Sequence, residues 1–136
     1  MQKEELEKIN KLLWNNKSKD FLLIGENFEI ENAVYISAKI QSKDLAIGID
    51  NNSKYIYPQW VKDLEKIDAE KKHLIITDLD TISLDEQEKF IGLLKYKNLN
   101  GYSLPENTQI IMLAQNQEKV SLKITTYLLI YKIKNN

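Results

Sequence analysis

The stretch Leu23-Ile24-Gly25-Glu26-Asn27-Phe28-Glu29-Ile30-Glu31-Asn32-Ala33 contains the junction on which the fold turns. It begins inside a short apolar run, Phe21 to Ile24, that a glycine ends. A run this short and uniformly apolar is the pattern of a strand buried on both faces, as in a parallel sheet covered by helices. Beyond the loop, Ala33, Ile36 and Ile40 recur on one helical face until the polar stretch Gln41 to Asp44, and this spacing predicts a helix. Strand, glycine turn and helix would together open a β-α-β unit.

The same alternation continues outward in both directions. Residues Glu4 to Trp14 place Leu6, Ile9, Leu12 and Leu13 at helical spacing between charges, which predicts an amphipathic opening helix. A second strand is expected at Leu45 to Ile49, before the turn Asp50-Asn51-Asn52-Ser53. Pro58 suits the first turn of a helix carrying Trp60, Val61, Leu64 and Ile67. Leu74 to Thr77 reads as the third strand, and Ser83-Leu84-Asp85-Glu86 as a capping box for the helix with Phe90, Leu93 and Leu94. Gln109 to Ala114 and Leu128 to Ile133 complete the strands, with a short helical turn around Glu118 to Leu122. The expected fold is α/β: five parallel strands in three layers, with helices on both faces and one domain spanning residues 1–136.

With 136 residues, 43% hydrophobic and 29% charged, the chain suits one core of ordinary size. A net charge of -1 gives no bulk attraction to nucleic acid or to an anionic membrane, so neither is an expected partner. No cysteine is present, which excludes disulfides, thiol catalysis and thiolate metal sites. The one histidine, His73, cannot build a multi-histidine metal centre and reads as structural. The charged N-terminus lacks a signal-type apolar core, and a cytoplasmic location is the default. All 19 basic residues are lysine, so no guanidinium fork is available for bidentate phosphate contacts.

In sheets of this class, ligand sites form at the carboxyl ends of the strands. A strand followed by G-x-x-x-x-G-K-[S/T] and a helix holds nucleotide phosphates through bare backbone N–H groups, a lysine charge and a hydroxyl on magnesium. Aligned on Gly25, this chain has Ile30 for the second glycine, Glu31 for the lysine and Asn32 for the hydroxyl residue. Charges about 4 Å apart interact by roughly 4 kcal/mol at an effective dielectric of about 20, so inverting the lysine's sign opposes phosphate strongly. The third strand ends in Thr77-Asp78-Leu79-Asp80, where two registers are open. Either Thr77 and Asp78 stand for a strand-terminal Asp-Glu pair, or Asp78 is the metal-side acid and Leu79 replaces the catalytic glutamate. Equally, Asp78 and Asp80 suit capping of the following turn. The fourth strand ends at Gln115-Asn116, an amide where a γ-phosphate sensor would stand.

Together with the helix Asp85 to Leu94 and the loop Asn100-Gly101-Tyr102-Ser103-Leu104-Pro105-Glu106-Asn107-Thr108, these strand ends resemble an AAA+ ATPase core, the MoxR-like branch most closely. The resemblance is densest over residues 73 to 116, and it implies the strand order 5-1-4-3-2. It implies a nucleotide site in which Gly25, Glu31, Asn32 and Asn116 are remnant binding positions and Asp78 and Asp80 a remnant acidic pair, Asp78 being the one metal candidate. It also implies arginine fingers and a C-terminal helical lid, and the chain has no arginine and reaches Asn136 soon after the fifth strand, so the lid is expected to be absent. The expectation is an inactive AAA+-like domain that works by binding a protein, without cofactor. The alternative is a divergent ATPase that uses ATP and magnesium in a site completed by another subunit, or by Lys17 or Lys19. A third possibility is a small regulatory or phage-type α/β domain similar by topology alone. Trp14, Tyr55, Tyr57, Tyr102 and Tyr127 are candidates for a partner surface, and a homo-oligomer is compatible with it.

Overall fold

The computed structural model describes residues 1–45, 47–99 and 101–134. Its centre is an all-parallel sheet of β1 (Phe21–Ile24), β2 (Ala33–Ser37), β3 (Lys72–Thr77), β4 (Thr108–Ala114) and β5 (Leu129–Lys132). The order across the sheet is β5-β1-β4-β3-β2, the 5-1-4-3-2 arrangement that the AAA+ resemblance implies. Every residue of β4 is buried, as its central place and apolar sequence require.

Side chains alternate between two cores. Phe21, Leu23, Ile75, Ile111 and Leu113 point to one face, where Ile9 and Leu13 of helix α1 (Lys3–Asn15) cover them. Leu22, Leu74, Ile76, Ile110 and Met112 point to the other. There they meet α2 (Gln59–Lys66), α3 (Leu84–Gln87) and α4 (Ile91–Tyr96), the last two joined by a 3₁₀ turn at Glu88–Phe90. Pro58 is the N-cap of α2, and the Ser83 side chain accepts from Glu86 N at 3.1 Å to cap α3. The short turns expected near Glu118 are a 3₁₀ turn at Gln117–Lys119 and a helical turn at Leu122–Thr125.

Two expected elements are overturned, the first with a large consequence. Residues 33–37, read as the start of a helix, form the edge strand β2, paired in register with β3 from Ala33↔His73 to Ser37↔Thr77. The helical spacing of Ala33, Ile36 and Ile40 competed with a period-two pattern, and the latter won. Val34 and Ile36 are buried against the α2 side, while Tyr35 between them faces out at 43% exposure. The strand expected at 45–49 is accordingly not in the sheet. Ser42–Leu45 is a single helical turn, Ala46 lies outside the described residues, and Gly48–Ile49 pairs antiparallel with Tyr55–Ile56 in a separate ribbon. The loop expected from Asn100 to Thr108 likewise begins on a residue outside the described ones; Asn98–Leu99 and Tyr102–Ser103 pair as a small hairpin, and Thr108 joins β4.

The link from β1 to β2 is therefore only residues 25–32. The registers put Ile24 level with Ala38, so Ala33 starts β2 five residues lower, two strands beyond the neighbour of β1. With roughly 4.8 Å between strands and 3.3 Å per residue, the diagonal is about 22 Å. A helix over the same residues would reach only about 13 Å, so the link must run nearly extended. It crosses the α1 face as a strap. Ile30 is buried in that core, Phe28 packs against it, and the Tyr35 hydroxyl accepts from Ile30 N at 2.7 Å.

Candidate functional site

The carboxyl ends of the strands bring Gly25, Asp78, Asp80, Gln115 and Asn116 to one edge of the molecule. Each is held in a way that limits its chemistry. Gly25 has φ +147°, a conformation L residues avoid, and its amide donates to Ala114 O at 2.9 Å. A Cβ built on it would lie 2.8 Å from Cβ of Ile133, the residue that follows β5 and whose amide donates to Ile24 O. The open side of this glycine is thus taken by the end of β5. A backbone cradle for phosphate needs that space empty.

The acidic pair divides into two different residues. Asp80 Oδ2 accepts from Gln115 N at 3.0 Å and Asn116 N at 2.8 Å, tying the end of β4 to the turn after β3. Asp78 adopts φ 60°, ψ 33° and, among the described residues, its carboxylate accepts a hydrogen bond only from the Thr77 hydroxyl, at 3.3 Å. Asp80 Oδ2 is thus committed to two backbone amides, while among the described residues no backbone amide holds the Asp78 carboxylate. Among the described residues no group of three or more His, Cys, Asp or Glu is arranged to hold a metal. The Asn116 side-chain oxygen accepts from Glu118 N at 3.0 Å, capping the 3₁₀ turn, which leaves its amide nitrogen as the free end.

Glu31 and Asn32 are not at this edge. They precede β2 and so sit at the amino end of a parallel sheet, beside His73, whose amide donates to Asn32 O at 3.0 Å. Asn32 is left-handed, with φ 56°, turning the strap into the strand. The strap thus separates Gly25 from Glu31 and Asn32 by the full length of the sheet. Lys17 and Lys19 precede β1 and lie at that far end too; Lys17 stands 3.9 Å from Glu70. Lys132 and Lys123 line an open groove of about 1300 Å³ at this edge with Ile24, Gln115, Asn116, Leu84 and Leu122. Asp78 and Gly25 are not part of its wall.

Two buried amides that the sequence does not single out organise this framework. Gln87 is fully buried; its amide nitrogen donates to Leu79 O, Ile82 O and Lys119 O, while its oxygen accepts from Ser121 N at 2.8 Å. Gln109, also fully buried, donates to Leu13 O, Asn16 O and Lys19 O and so docks the end of α1. A glutamine inside an otherwise apolar period was the available signal in each case. Of the aromatic candidates, Trp14, Tyr55 and Tyr57 are exposed and Tyr102 and Tyr127 half-buried. Tyr57 bridges Tyr55 (ring centroids 6.2 Å) and Tyr102 (5.8 Å), and the Tyr102 hydroxyl donates to Glu65 at 3.0 Å. Desolvation, with the hydrogen bond to Glu65 adding to it, pushes the Tyr102 phenol up to about 12.

No family model matches the chain, and no curated protein is similar to it in sequence. Among solved structures, it is similar to a DNA polymerase III gamma subunit-related protein of Thermotoga maritima, at a TM-score of 0.61 and 13% identity. That match covers 97% of this chain and 46% of the other, so the chain spans about half the length of the protein it resembles. At this identity the likeness is one of fold: an α/β domain built on a parallel five-stranded sheet.

Proposed function

We propose that this is a nucleotide-free AAA+-like domain that acts by holding another protein. The observation that carries the reading is the extended strap in place of the first crossover helix. In P-loop sheets that helix supplies the N-terminal amides and the dipole that grip phosphate. Here the chain after Gly25 runs away from the carboxyl ends, and Ile133 fills the glycine's open side. Loss of backbone grip, lysine charge and arginine together removes both positioning and charge stabilisation, on which phosphoryl transfer depends. The MoxR-like assignment belongs to this reading and rests on the segment from His73 to Asn116.

The second reading is a divergent ATPase whose site is completed by another subunit. It draws on the open groove beside Lys132 and Asn116, since lysine can hold phosphate as a point charge. Titration with a fluorescent ATP analogue, with and without magnesium, separates the two. No saturation at millimolar nucleotide is expected; saturable binding weakened by Asp78→Ala or Lys132→Ala would move the second reading to first place.

A further inference from the structure

The missing crossover helix leaves one sheet face incompletely covered. On the α1 side, β2 carries Tyr35 at 43% exposure, and the strap runs beside it. Two clefts flank the strap and share Glu29 and Ile30. One, of about 450 Å³, is floored by Phe28, Tyr35 and Leu113. The other, of about 570 Å³, runs past Leu6, Leu13 and Trp14 towards Glu70, Lys71 and His73. Each falls in the range of binding clefts, about 300–1,000 Å³.

The rim of these clefts is acidic. Glu29 and Glu31 are exposed, and neither has an ion pair among the described residues. Glu70 lies 3.9 Å from Lys17, and Lys71 is turned onto Lys17 O. The exposed ring of Trp14, at 49%, stands at one end of this apolar floor and Tyr35 at the other. An apolar floor, two aromatic ends and unpaired carboxylates complement one kind of occupant.

We infer that the strap groove docks an amphipathic segment of another protein, with apolar anchors inserted on either side of Ile30 and Lys or Arg side chains meeting Glu29 and Glu31. The assignment rests on the reading of this domain as a protein-binding one and names the chemistry of the partner. Charge at the rim selects the sign of the partner, and the aromatic and aliphatic floor supplies the anchoring contacts.

The probe is an 18-residue Leu/Lys amphipathic helical peptide, with the matched Leu/Glu peptide as its counterpart, at physiological salt. Binding is followed by anisotropy of the labelled peptide and by Trp14 emission in a Trp60→Phe background, since Trp60 is 5% exposed and would otherwise dilute the signal. Saturable binding of the Leu/Lys peptide with a blue shift of Trp14 is expected. Glu29→Lys with Glu31→Lys, both at exposed positions, should weaken it on the order of tenfold. Equal binding of the two peptides, an unmoved Trp14, or an unchanged affinity in the double variant would overturn the inference. So would a concentration-dependent dimer broken by the double variant, which would give the face to a second copy. Nucleotide titration of the same samples keeps the two readings apart: saturation by nucleotide with peptide binding intact sinks the inactive-domain reading alone, and peptide failure without nucleotide binding sinks the docking inference alone.

Discussion

Replacing Gly25 by alanine should destabilise the protein far more than a surface glycine change, because two independent strains meet at that position. At φ +147° an L side chain costs about 1–3 kcal/mol of backbone strain. The added methyl would also stand 2.8 Å from Cβ and 3.3 Å from Cδ1 of Ile133, and overpacking of this kind costs about 1–3 kcal/mol more. A central value is roughly 4 kcal/mol, or a fall in Tm of roughly 15 °C for a chain of this size. The Cβ of Ile133 is the nearest atom, so Ile133→Ala would not relieve the clash. Gly92→Ala is the matched control, since Gly92 lies in α4 with nothing within 4 Å of the new methyl, and it should gain about 0.5–1 kcal/mol. Urea unfolding of the three proteins measures both differences. A loss below about 1 kcal/mol for Gly25→Ala would show that β5 yields freely there, and that close approach of Ile133 is not what requires glycine.

Asp80→Ala removes two amide contacts to a charged acceptor and should cost about 2 kcal/mol by denaturant midpoint, whereas Asp78→Gly, by relieving a left-handed backbone, should be neutral or stabilising by up to about 1 kcal/mol. An Asp78→Gly variant less stable than wild type would show that the carboxylate makes a contact worth more than its strain. Gln87→Leu leaves four backbone groups without a partner inside the core and should cost about 3 kcal/mol or more, read from the same curves. Burial holds His73 below its ordinary value, with Lys71 adding to the effect and the contact to Glu31 O opposing it. The neutral ring is thus favoured in the folded state, so stability is fully present above the ordinary value of 6.5 and is lost as pH falls through the depressed pKa; His73→Gln should flatten that slope in unfolding curves between neutral and acid pH.

Much of the framework is visible in local patterns. The apolar runs at Phe21–Ile24, Leu74–Thr77 and Gln109–Ala114, the S-x-x-E cap at Ser83 and the amphipathic α1 are each local patterns, and their alternation is enough for a parallel sheet between helix layers. The acidic side chain at Glu31 and the absence of arginine were legible for the same reason: they are facts of residue type.

Tertiary structure decided where those residues stand. Ala33 to Ser37 satisfies both a helical and a strand period, and only pairing with β3, plus the distance the link must span, selects the strand. Once that is settled, Gly25 and Glu31, six positions apart in the chain, lie at opposite ends of the sheet. Likewise, the contact of Gly25 with Ile133 joins residues from the two ends of the chain's core, and no local pattern records it. Residue type is a property of the chain; proximity between β1, β2 and β5 is a property of the packed sheet, because it follows from register and crossover length together.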